Sequence, residues 1–275
     1  MNHALQQTRI WSTAHFDDQP ALLSEQTGLK YHAFAEALRC KGKGTFPSGS
    51  ETHNEPEALG SFGIAIISRF PILDQKILTY TKYQKKTLRN ALAVLIEVDG
   101  SKVWFVCTHL GCHSGPEQHA QAVELAPFLR DLAADQGAKG VILAGDTNSP
   151  PFFGAIKHLK KNGMTDTWEG GGNRSSCFGG TTFPALGWPG CYSWVCCPPL
   201  LKLDYIMYRS SGLGNTAMEC DATWVVQDGD SENGEDKVDL MASDHRPLCA
   251  VFRVVGVDLS DITVTTAGRK MSKED

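Results

Sequence analysis

The run Val103-Trp104-Phe105-Val106-Cys107-Thr108 carries no polar alternation. A strand with one face in water alternates apolar and polar side chains, so an unbroken apolar run of this length predicts a strand covered on both faces. Two β layers flanked by helices account for such a strand. Phe62 to Ser68, Ala91 to Val98, Val141 to Ala144, Leu203 to Tyr208, Thr223 to Val226 and Leu248 to Val255 also read as strands. Three helices are predicted. Asp18-Gln19-Pro20 opens the first, with an acidic N-cap and a Pro in the first turn, and Gly28 closes it. Ser114 caps a second helix that runs to about Ala134, with Ala122, Leu125, Ala126, Leu129 and Leu132 at helical spacing. A short third helix follows Pro150-Pro151 and ends near Lys161. Residues 42–60 and 169–199 read as loops, and the polar tail from Thr266 to Asp275 as a frayed end.

Four short polar motifs stand at the ends of apolar runs: Thr108-His109-Leu110, Gly145-Asp146-Thr147-Asn148, Leu203-Asp204-Tyr205-Ile206 and Ser243-Asp244-His245-Arg246-Pro247. Each alone has an ordinary explanation. Asp146-Thr147-Asn148 makes a good Asx turn, Asp204 reads as a surface acid beside a half-buried aromatic, His109 as a satisfied strand-end histidine, and Asp244-His245 as a turn before Pro247. Taken together they imply one site. Asp and Asn oxygens suit a hard divalent cation such as Mg²⁺, and two imidazoles can hold a phosphate or move protons. That is the equipment for phosphoester hydrolysis. No cysteine sits in a local activation motif, so thiol chemistry is a poor competitor.

Bulk properties narrow the partners. Net charge is −5, from 26 Lys+Arg against 31 Asp+Glu, so there is no basic excess to hold a polyanion by counterion release. Lys82-Tyr83-Gln84-Lys85-Lys86 is a local basic cluster, read here as a solvated loop. The nine cysteines are odd in number and show no paired zinc spacing. Cys107 and Cys249 lie in apolar runs as small core residues, whereas Cys191, Cys196 and Cys197 cluster in a loop where a disulfide is conceivable. The N-terminus has no basic-then-apolar leader, and no stretch approaches the length of a membrane helix. A reduced, cytoplasmic protein is expected, with a targeting segment upstream left open.

The ordered motifs, together with Gly63-Ile64-Ala65-Ile66-Ile67-Ser68-Arg69-Phe70-Pro71-Ile72, resemble the endonuclease/exonuclease/phosphatase superfamily of Mg²⁺-dependent phosphoesterases. The resemblance extends from Leu5 to about Phe252. It implies an α+β fold, a four-layer α/β/β/α sandwich of two mostly antiparallel sheets flanked by helices. One domain over residues 1–257 and a tail over 258–275 are expected. It also implies roles. Asp244 is a metal-site carboxylate and His245 a general base or phosphate contact. Asp204 accepts a hydrogen bond from His245 and fixes its tautomer. Asp146 orients or activates the attacking water, Asn148 binds a phosphoryl oxygen, and His109 is a phosphate ligand or an acid near the leaving group. Gly145 is read as the small residue that lets backbone and substrate approach. Mg²⁺ is the expected cofactor, with Mn²⁺ as an alternative.

Three departures from the family pattern qualify this. The first family strand, which bears an Asn, is absent, so the chain is expected to be N-terminally incomplete. Gln7 stands where the metal-binding Glu belongs, so a cation site there includes a neutral amide and loses Coulomb attraction. Thr87 stands where a carboxylate that orients His109 is common. Three functions follow as expectations. The first is a metal-dependent phosphodiesterase or phosphatase acting on a small-molecule or lipid phosphoester. The second is an inactive pseudoenzyme that binds a phosphorylated ligand or a partner. The third is an endonuclease, for which only the Lys82–Lys86 cluster and Trp188 and Trp194 speak.

Overall fold

A computed structural model of the chain describes residues 3–9, 18–40, 60–82, 88–135, 137–170, 180–183, 201–211, 218–226, 245–254, 265–266 and 269–270. Its elements in chain order are β1 (His3–Arg9), α1 (Gln19–Thr27), β2 (Tyr31–Cys40), β3 (Gly60–Ser68), β4 (Ile72–Thr79), β5 (Asn90–Val98), β6 (Ser101–His109), α2 (Gly115–Ala134) and β7 (Gly140–Asp146). There follow α3 (Gly154–Lys161), β8 (Thr165–Asp166), α4 (Thr167–Gly170), β9 (Asp204–Ser210), β10 (Met218–Val225), β11 (Leu248–Val254), β12 (Thr265–Thr266) and β13 (Arg269–Lys270).

Six strands form the central sheet in the order β4-β5-β6-β7-β9-β8. Its neighbours are antiparallel except β6 and β7, which run parallel because α2 carries the chain back between them. The apolar runs are buried on both faces, as their composition predicts. Ala91, Ala93 and Leu95 of β5, Trp104 and Val106 of β6, Val141 and Leu143 of β7, and Tyr205 and Met207 of β9 pack with Leu125 and Leu129 of α2 and Ile156 and Leu159 of α3. The alternate residues point the other way. Leu92, Val94, Ile96 and Cys107 meet Ala33 and Ala35 of β2 and Ile64 and Ile66 of β3. Val103 and Ile142 meet Met218 of β10. The second face is therefore covered by an antiparallel sheet β1-β3-β2 and an antiparallel pair β10-β11. Each Leu- or Ile-sized side chain buried this way contributes about 1.5–3 kcal/mol, which clamps the strand ends in register. The fold is α+β, with a large multi-stranded sheet and helices.

The helix signals work as read. Asp18 Oδ1 accepts from the Ala21 N–H, and Gly28 takes the left-handed C-cap conformation (φ 68°). Ser114 accepts from the Glu117 N–H at 3.3 Å, and all five spaced apolar residues of α2 are buried. Six strands went unread in the sequence, β1, β2, β4, β8, β12 and β13, and β2 and β4 are the long ones beside the core. Ala33, Ala35 and Leu38 point inward from β2 across a register shift between Glu36 and Leu38, which breaks simple alternation. On β4 the inward-facing Lys76 lies over the Trp104 ring while Leu73 and Ile77 are exposed. The frayed end expected from Thr266 is corrected in part, since β12 pairs with β13. The predicted loop at 42–60 lies outside the described residues apart from Gly60, and most of the one at 169–199 does too, with Cys191, Cys196, Cys197, Trp188 and Trp194. The cysteines at 107, 112, 220 and 249 are free thiols, and Cys107 and Cys220 are buried. No described helix is long and apolar enough to cross a membrane.

Candidate active site

Three strands of the central sheet end in line. His109 of β6 sits opposite Asp146 of β7, and Asp146 sits opposite Asp204 of β9. Side chains alternate along a strand, and these three share the parity of Cys107, Ile142 and Ile206, so they face the space between the two β layers. All three are buried. His245 arrives from the segment that precedes β11, and its Nδ1 lies 2.7 Å from Asp204 Oδ2. Asp146 Oδ2 stands 3.4 Å from His109 Nε2 and 4.0 Å from His245 Nε2. One carboxylate thus faces two imidazoles. Donor atoms of Asp146, Asp204 and His245 lie within 4.8 Å of one another, a group that can hold a metal ion.

Burial pushes the Asp146 carboxyl up to about 7, and the nearby negative charge of Asp204 pushes the same way. His245, the Asn148 N–H and Arg89 pull it back. Two acids so close in a buried site repel, and a cation placed against Asp146 relieves both the desolvation and the repulsion. Arg89, itself buried, is drawn below its ordinary value by desolvation, against the opposing influence of Cys112, Asp146 and Glu117.

Local chemistry explains the corners that hold these groups. Asp146 Oδ1 accepts from the Asn148 N–H at 2.7 Å, so the Asx turn read in the sequence is present and serves the site. That turn puts Asn148 at φ 50°, a conformation Asn tolerates better than most residues. The Asn148 side-chain amide donates to the Leu110 carbonyl at 3.0 Å, and the Leu110 N–H donates to the Asp146 carbonyl at 3.0 Å. The Gly111 N–H donates to Gln121 Oε1 at 2.8 Å, which fixes the turn after His109 from α2. Gly145 has φ 151°, and a Cβ there would stand 1.9 Å from the Thr108 carbonyl oxygen. Its small size is needed by the close approach of β6, the backbone half of what the sequence suggested for this glycine.

The structure brings His109, Asp146, Asn148, Asp204 and His245 to one end of the central sheet. Asp244 and Thr87 lie outside the described residues. The Gln7 backbone is in β1, within a register shift between Leu5 and Thr8, and β1 lies against β6 and β7, the strands that end in His109 and Asp146. Sequence reasoning missed four neighbours. Arg89 lies over the Phe62 ring at 5.6 Å, and that ring is 6.4 Å from His109. The Phe183 ring packs 4.9 Å from the His245 ring. Thr182 Oγ1 accepts from the Asp204 N–H at 3.1 Å. Arg89 carried a signal, a cation immediately before a buried strand; Thr182 and Phe183 carried none.

Comparison with known proteins bears on this arrangement. A family model described as the Endonuclease/Exonuclease/phosphatase family matches residues 5–245. Curated proteins give no significant match. Among solved structures, the chain is similar to the human Nocturnin catalytic domain with bound sulfate anion, at 18% identity and TM-score 0.58, covering 88% of this chain and 78% of that one. It is also similar to a Bacteroides thetaiotaomicron mannosyl-6-phosphatase, at 14% identity and TM-score 0.57, covering 86% and 81%. A third is D. rerio TDP2 complexed with single strand DNA product, at 18% identity and TM-score 0.56, covering 85% and 80%. At such identities these likenesses speak for the fold.

Proposed function

The chain belongs to the endonuclease/exonuclease/phosphatase family, and from that premise we propose that it is a metal-dependent phosphoester hydrolase in which His245 is the general base. The observation that carries this reading is the 2.7 Å contact between His245 Nδ1 and Asp204 Oδ2, with the Asp146 carboxylate facing Nε2 of the same ring. With Nδ1–H given to Asp204, the lone pair is on Nε2. A water that passes its proton to Nε2 can hold a second hydrogen bond to Asp146, which aims its oxygen. The buried Asp204 charge stabilises the imidazolium that forms. Asn148, its side chain fixed by the Leu110 carbonyl, offers its second amide N–H to a phosphoryl oxygen. His109 stands on the other side of Asp146, where it contacts the phosphate or protonates the leaving oxygen.

The donor set fits a hard divalent cation, Mg²⁺ or Mn²⁺, because the buried Asp146 carboxylate has a raised proton affinity that a cation would satisfy instead. Asp146, Asp244 and the Gln7 amide would hold it, and when bound it supplies charge neutralisation on the phosphoryl oxygens. The substrate class we favour is a small-molecule or lipid-derived phosphoester, since a net charge of −5 gives a polyanion no bulk attraction. Residues 1–257 would act as one catalytic domain in a reducing, cytoplasmic setting, in keeping with the buried free thiols of Cys107 and Cys220.

The test is release of p-nitrophenol from bis(p-nitrophenyl) phosphate and p-nitrophenyl phosphate in Mg²⁺ or Mn²⁺. Replacing His245 by Ala removes the base and lowers kcat by roughly 10²–10⁴-fold. Equal activity in wild type and variant refutes the assignment. One observation favours a second reading, a pseudoenzyme that binds a phosphorylated ligand: Gln7 leaves the cation site one charge short. Tight stoichiometric Mg²⁺ binding in calorimetry argues against it.

A further inference from the structure

We infer that Thr182 is a positioning residue for the acid–histidine pair, clasping together the two distant chain segments that carry Asp204 and His245. Thr182 is fully buried. Its Oγ1 accepts two backbone hydrogen bonds, from the Leu203 N–H at 3.2 Å and the Asp204 N–H at 3.1 Å. Its carbonyl accepts from the Arg246 N–H at 2.8 Å. One residue therefore grips the backbone of Asp204 and the peptide that follows His245. The next residue completes the clasp, because Phe183 exchanges backbone hydrogen bonds with Leu201 and lays its ring 4.9 Å from His245.

The sheet explains why a side chain is needed here. β8 pairs with β9 only at Met207 and Tyr208. Nearer the site that strand has ended, and Thr182 supplies an acceptor where a continued strand would have offered a carbonyl. On the opposite side Thr147 secures the Leu203 carbonyl, donating to it from both its N–H and its Oγ1 at 2.9 Å. The start of β9 is thus gripped from both sides immediately before Asp204. Removing Oγ1 leaves two buried N–H groups without an acceptor, and the backbone must shift to find others. A shift of about an ångström is enough to spoil a 2.7 Å contact between Asp204 and His245.

The kinetic consequence rests on the phosphoester-hydrolase reading; the geometric one does not. Thr182→Val keeps the shape and removes the acceptor, while Thr182→Ser keeps the acceptor. In the p-nitrophenyl ester assay Thr182→Val is expected to lower kcat roughly 10–100-fold with KM changed less than about twofold, and Thr182→Ser to recover to within about threefold of wild type. The second readout is the low-field proton NMR resonance of the His245 Nδ1–H bonded to Asp204, identified by its loss in His245→Gln. It should persist in wild type and Thr182→Ser and vanish or move upfield in Thr182→Val. Where the valine variant does not fold, Thr182→Cys against Thr182→Ser makes the same comparison, a thiol being a poor acceptor. A resonance and kcat both preserved in the variant lacking the hydroxyl, or a serine variant as impaired as valine, overturns the inference. If wild type hydrolyses neither ester, the phosphoester reading falls and the resonance alone decides the role of Thr182.

Discussion

Asp146→Asn should make the metal-free protein more stable and less able to bind a cation, and the size of the gain should depend on pH. Burial and the Asp204 charge raise the Asp146 carboxyl from its ordinary 3.8 to about 7. At about 1.4 kcal/mol per tenfold change in proton affinity, ionising this group inside the fold costs about 4 kcal/mol relative to the unfolded chain. The sign is set by where the proton sits. Between pH 3.8 and 7 the folded chain holds a proton that the unfolded chain has released, so stability falls as pH rises through that window and levels off above it. An amide has no such dependence, and its oxygen can still accept the Asn148 N–H. Urea unfolding in EDTA is the assay. The variant should exceed wild type by about 4 kcal/mol at pH 8 and by only about 1 kcal/mol at pH 4.5. Saturating Mg²⁺ should narrow the gap at pH 8 by stabilising wild type alone. A difference that does not change with pH, or a variant less stable than wild type at pH 8, would refute the electrostatic reasoning.

Further substitutions probe the other parts. Asp204→Asn removes the charged acceptor of the His245 Nδ1–H and should lower kcat by roughly 10²–10⁴-fold with little change in KM, read on the same esters. Gln7→Glu restores a negative charge at the proposed cation site and should tighten Mg²⁺ binding by roughly tenfold or more in calorimetry; unaltered affinity would remove Gln7 from the site. Gly145→Ala places a methyl against the Thr108 carbonyl in a backbone conformation that disfavours it, and should cost about 3 kcal/mol or more in urea unfolding.

Legibility of the chain varies with how local the determining physics is. The both-face strands β5, β6 and β7 are readable because burial on both faces leaves only apolar side chains along their middles, residues 91–96, 103–107 and 141–144, and α1 and α2 because their caps are chemical signals one residue wide. β4 was not, since its inward face includes Lys76, whose stem and charge rest on Trp104. β2 was hidden by its alanines, which are poor strand formers, and by the register shift after Glu36. The site residues His109, Asp146 and Asp204 were each named from motifs, but their alignment comes from a parallel pairing of β6 with β7 and an antiparallel one of β7 with β9. Those registers join segments dozens of residues apart. Thr182 lay inside a stretch that reads as loop and acts through hydroxyl and carbonyl contacts to residues 203, 204 and 246. No local pattern announces such a role.

The measurement that bears most directly on the site is the position taken by Mn²⁺ in a crystal of this protein grown or soaked with Mn²⁺ and inorganic phosphate, located by its anomalous scattering. A peak about 2.2 Å from an oxygen of Asp146, with phosphate between it and the His245 imidazole, is the predicted result. Manganese bound elsewhere, with no metal at Asp146 and no anion beside His245, would contradict it.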